Sequence, residues 1–127
     1  MMRVLIVLGL VAVPSATAGA RSLDDSLRRL DPEFRAHQAC IVLGLDKMRR
    51  DKRVAGADRI KTSILSPAQF EGTKVTTEGG AVRAKSHWYA LKFTCTVTSD
   101  QMKATSFVYE VGKEIPEARW ESLGLWR

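Results

Sequence analysis

Residues Trp88 to Thr98, WYALKFTCTVT, decide the fold. Tyr89, Leu91, Phe93, Cys95 and Val97 fall on one side of an extended chain, while Lys92, Thr94, Thr96 and Thr98 fall on the other. That alternation predicts a half-buried strand with Cys95 pointing inward. Downstream, Ser99-Asp100-Gln101 reads as a turn, and Met102 to Val111 returns with Phe107, Tyr109 and Val111 alternating, which predicts an antiparallel hairpin. Upstream, Ile60 to Leu65 reads as a short strand and Ser66-Pro67 as a cap or turn. Thr73 to Glu78 reads as a second strand, and Gly79-Gly80 as a tight turn into Ala81 to Lys85. The sum is an antiparallel sheet of about four strands with one buried face.

What covers that face lies before it. Asp31-Pro32-Glu33 supplies an N-cap, a first-position proline and a first-turn acid, so a long helix is expected from Pro32. Phe34, Ile41, Leu45 and Met48 follow the 3.6-residue period and define its expected core stripe, with Cys40 and Gly44 on one flank. The helix ends among Lys47, Arg49, Arg50, Lys52 and Arg53, cations suited to the negative end of its dipole, and Gly56 can close it. Ala36, Ala39 and Leu43 form a second apolar line nearly opposite the first, so Leu43 is a candidate partner-facing residue. Its cover is Leu23, Leu27 and Leu30 of a short amphipathic turn opening at Ser22, the tryptophan-rich C-terminus, or another protein. At the C-terminal end, Ile115-Pro116-Glu117 starts a short helix holding Trp120 and Leu123, closed by Gly124, with Leu125 and Trp126 folding back. The class is α+β: one long helix on the sheet, and a short helix at the C-terminus.

A chain of 127 residues, 45% hydrophobic and 27% charged, supports one core and not two, which excludes collagenous, repeat, coiled-coil and disulfide-dense classes. Val4 to Val13 is an apolar run behind Arg3, followed by Pro14 and the small residues SATAGA, which predicts a secretory signal peptide over residues 1–20, cleaved after Ala18 or Ala20. The run is about half of what a spanning helix needs, so the mature domain, residues 21–127, is expected to be exported without a stable membrane span. In an oxidising compartment the two cysteines, Cys40 and Cys95, are expected to form a disulfide. With 20 Lys and Arg against 14 Asp and Glu the net charge is +6, or +5 once Arg3 has left. That favours an anionic envelope component or an acidic protein face as partner.

Three blocks carry a family resemblance: LDPEFRAHQAC from Leu30 to Cys40, GGAVRAKSHWYALKFTC from Gly79 to Cys95, and EIPEARWESLGLW from Glu114 to Trp126. In order, spacing and paired cysteines they resemble a bacterial family known only as domain of unknown function 930, over about residues 30–126. The resemblance implies an exported, periplasmic protein of a Gram-negative cell. It brings no activity, cofactor or catalytic residue; through longer relatives that carry the block behind an envelope anchor and linker, it implies a binding or adaptor role.

No constellation in the sequence fixes a reaction. His37, Cys40, His87 and Cys95 have the right types for zinc, but His87 stands about 25 Å along an extended strand from Cys95, so no metal site is expected. Both cysteines lie in or beside apolar faces, which disfavours a thiolate nucleophile, and no GxSxG motif occurs. Glu110, Glu114, Glu117 and Glu121 read as a solvated face near Arg119 rather than a glycosidase pair. The aromatics occupy core-facing positions, which argues against nucleic acid. The expectation is a non-enzymatic binding or adaptor module of the envelope, without cofactor, whose anionic docking patch is Lys47, Arg49, Arg50, Lys52 and Arg53. A small envelope hydrolase, with His87 beside Glu110 or Asp100, and a subunit of a larger envelope complex are the alternatives.

Overall fold

The structure, a computed structural model, describes residues 9, 11, 12 and 18–127. The expected signal peptide therefore lies outside the described residues, save for those three isolated apolar positions and Ala18–Ala20. The latter begin helix α1, Ala18–Arg28, which starts earlier than the turn expected at Ser22. Helix α2 spans Pro32–Met48, β1 Ala57–Lys61, β2 Gln69–Glu71, β3 Lys74–Ala84, β4 His87–Val97, β5 Ala104–Glu114 and α3 Trp120–Leu123. The strands form one antiparallel sheet in the order β1-β3-β4-β5, with the short β2 pairing the other half of β3.

The long strand behaves as its alternation requires. Leu91, Phe93, Cys95 and Val97 are buried on the face that α2 covers, and Cys95 pairs with Phe107 of β5. The helix presents a different stripe from the one expected. Ala36, Cys40, Gly44 and Met48, four residues apart, are its buried line, whereas Phe34 is 62% exposed. The sheet explains the exchange. A Cβ on Gly44 would stand 2.7 Å from the Phe107 ring and 2.9 Å from Ile60, so the helix approaches through small residues and the sheet supplies the bulk. Ile41, Leu43 and Leu45 pack at the margin of this core. The approach also seats Cys40 against β4, where the Cys40–Cys95 disulfide closes with 6.0 Å between Cα atoms.

Gly79-Gly80 is not a turn. Strand β3 runs through both as a bulge between Thr77 and Gly80, and the loop after β1 folds over it, with Ile64 N and Leu65 N both donating to the Gly79 carbonyl. A Cβ on Gly79 would lie 2.2 Å from Ser66 N, so the glycine permits backbone to approach backbone. The turn between β3 and β4 is Lys85-Ser86, both left-handed, at φ 50° and 65°. This two-residue connection without glycine went unread in the sequence.

Among the described residues, the other face of the sheet is covered at one end only. There Ala81, Trp88, Ile115, Trp120 and Leu125 form a second core, in which the Trp88 indole donates to the Trp126 carbonyl (2.6 Å) and the Trp120 indole to that of Ile115. The chain folds back through Gly124 in the left-handed conformation expected of it.

Candidate binding surface at the end of the long helix

The five cations of the expected patch sit where α2 ends and a 3-10 turn, Lys52–Val54, begins, and all five are exposed. Two reach acids within the segment. Arg50 meets Asp46 four residues earlier at 3.4 Å, and Arg53 meets Asp51 through Nε and Nη2 at 3.2 and 2.8 Å. Two others donate to backbone: Lys47 Nζ to the Phe107 carbonyl (3.3 Å) and Arg49 Nε to that of Ala57 (3.4 Å). Exposed pairs of this kind are worth little stability, and five cations against Asp46 and Asp51 leave a positive field.

Asp51 is the organising residue. It accepts from Arg53 N at the start of the 3-10 turn and, through Oδ2, from the Tyr109 hydroxyl of β5 at 2.7 Å. Those hydrogen bonds, from Arg53 first and Tyr109 second, hold its carboxyl well below the usual range. Burial, followed by the contact with Asp51, pushes the Tyr109 hydroxyl up. With Lys47 on Phe107 and Asp51 on Tyr109, the basic segment is fastened along β5. That non-local connection was invisible in the sequence.

Leu43 is half-buried against the main core; on α2 the exposed large apolar residues are Phe34 and Val42, at 62 and 70%. His87 does face a carboxylate, but it is Glu114, which meets Nδ1 at 2.5 Å; both side chains are about half exposed. Glu110 lies opposite Lys92 on the outer sheet face, and Asp100 accepts from Thr98 Oγ1 (2.7 Å) in the turn before β5. His37 shares a hydrogen bond with Thr62 Oγ1 at 2.8 Å, and burial, only partly opposed by Glu33, lowers its pKa. Near the C-terminus, Arg83 is bidentate to Asp58 (2.9 and 2.7 Å), and Lys61 Nζ stands 4.7 Å from the centre of the Trp126 ring.

Among the described residues no three His, Cys, Asp or Glu side chains gather as metal ligands, and no helix is long and apolar enough to cross a membrane. A family model described as Domain of Unknown Function (DUF930) matches residues 27–125. No curated protein and no solved structure matches the chain.

Proposed function

The chain belongs to the DUF930 family of domains of unknown function, and from that premise we propose that it is a non-enzymatic binding or adaptor module of the cell envelope. It acts after export to the periplasm, and its partner is an anionic envelope component or an acidic protein face. The observation that carries this reading is the cluster of five exposed cations between Lys47 and Arg53, its end fastened through Asp51 to Tyr109. Ordered cations lose less freedom on meeting an anion than the same residues on a mobile tail. Export is supported by the apolar run Val4–Val13 and the small residues after it.

The test is charge reversal at positions that leave the Asp51–Tyr109 contact in place: Arg49→Glu, Arg50→Glu and Lys52→Glu together. Expressed in a Gram-negative host, the parent chain is expected in the periplasmic fraction, shortened by cleavage after Ala18 or Ala20, and to retain envelope partners that the triple variant loses. Unchanged partners would sink the patch; an uncleaved cytoplasmic chain would sink the compartment.

A second reading, a small envelope hydrolase, draws on His87 and Glu114, since a carboxylate on Nδ1 is the arrangement that orients a general base. Its exposure to water weakens such a base. Hydrolysis of peptidoglycan fragments or ester reporters that disappears in His87→Ala would establish it.

A further inference from the structure

Strand β5 ends the sheet, and among the described residues no backbone pairs with its outer edge over its 11 residues. The Phe107 carbonyl accepts from Lys47 Nζ, so it is turned away from β4. In an antiparallel ladder residues alternate in the direction of their N–H and C=O groups, which puts those of Tyr109 on the same open side. A long open edge is a template for another strand, and folded proteins usually blunt it with charge, proline or a covering element. Here, among the described residues, the group that donates to the open Phe107 carbonyl is the Lys47 ammonium.

The edge and the cationic segment adjoin. Lys47 stands at Phe107 and the Asp51–Arg53 pair at Tyr109, both on the helix side of the sheet. On the opposite side the exposed residues of β5 are Val108, at 68%, Glu110 and Gly112. We propose that the edge of β5 binds an extended acidic peptide as an added strand, its alternate carboxylates facing Lys47 and Arg53. The residues between them lie on the Val108 side, where Glu110 repels acids and Val108 offers apolar contact, so Val or Thr fits there. Backbone hydrogen bonds to Phe107 and Tyr109 supply affinity, and the alternation supplies selectivity. As the strand docks, Lys47 leaves the Phe107 carbonyl to a peptide N–H and turns to a carboxylate.

This inference rests on the binding-module reading and specifies how its patch is used. The probe is the capped heptapeptide Glu-Val-Glu-Thr-Glu-Val-Glu, fluorescently labelled, against the whole chain. The comparisons are the same peptide N-methylated at alternate residues, a block-ordered peptide of equal composition, and inorganic polyphosphate. Expected results are saturable binding of the alternating peptide, a loss of about ten-fold or more on N-methylation and on Lys47→Glu, and slowed exchange of the Tyr109 amide proton in the complex. Equal binding of the N-methylated or block-ordered peptide, or of polyphosphate alone, overturns strand addition and leaves the anionic patch standing. Absence of binding by every probe overturns both. A β5-to-β5 dimer that the peptide fails to dissociate, seen by sedimentation, shows that a second copy takes the edge and overturns the peptide assignment.

Discussion

Gly44 of α2 faces the ring of Phe107 so closely that any side chain on the glycine would enter it. The ring cannot swing aside, because Phe107 is buried and its centroid lies 4.7 Å from Phe93 and 5.7 Å from Tyr109. Gly44→Ala gains about 1 kcal/mol of helix propensity, and overpacking outweighs it, for a net loss of about 1–2 kcal/mol. Urea unfolding of Gly44→Ala, and of the same change with Phe107→Leu, checks this. The second substitution is expected to recover part of the loss, as coupled neighbours do.

Gly79→Ala is expected to be the more damaging glycine substitution, because its clash is with the Ser66 backbone rather than a side-chain tip. A loss of about 3 kcal/mol or more follows, against about 1 kcal/mol at Gly72, whose φ of 60° carries strain but whose surroundings are open. Thermal unfolding of the two variants side by side measures the difference.

The disulfide closes a loop with a sequence separation of 55, for which chain entropy gives about 4 kcal/mol. Cys40→Ala with Cys95→Ala, or reduction of the parent chain, is expected to lower the denaturant midpoint by a matching amount. Reductant is expected to leave the double variant unchanged.

Acid acts on the patch through Asp51. Its carboxyl is held below the ordinary value in the folded chain, so its contribution is complete above that value and is lost as pH falls through the lowered one. The melting temperature of the parent is therefore expected to fall more steeply below about pH 4 than that of Asp51→Asn. The same acidification is expected to loosen the Tyr109 contact, visible as a change in tyrosine absorbance.

His37 works in the same direction at higher pH. Burial lowers its pKa from the ordinary 6.5, so the unfolded chain binds the proton more readily and stability falls as pH drops through 6.5 towards the folded value. His37→Gln is expected to flatten the stability profile in that window.

The sheet was legible where one face is wet and the other dry, as in Leu91 to Val97, because alternation then registers burial directly. The helix face was misread because its seam is Ala36, Cys40 and Gly44. A count of large apolar residues passes over small ones chosen to let bulky neighbours in. Gly79-Gly80 has the composition of a turn, yet its glycines serve close backbone approach, while Lys85-Ser86 turns the chain with residues that carry no such signature. The cations of the patch were legible as a run. Their fastening to Phe107 and Tyr109 was not, since it joins residues about 60 positions apart. The partner of His87 was missed for a related reason: the register of β5 slips between Val111 and Glu114, which carries Glu114 opposite Tyr89.

The bond between α2 and β4 also makes the chain a lasso. Everything from Ile41 to Thr94, with β1, β2, β3 and the exposed loop Ser63 to Pro67, lies within one covalent ring. A protease that cuts that loop opens the ring without freeing a fragment. The nicked molecule keeps its mass apart from one added water, and only a thiol reductant divides it into two pieces.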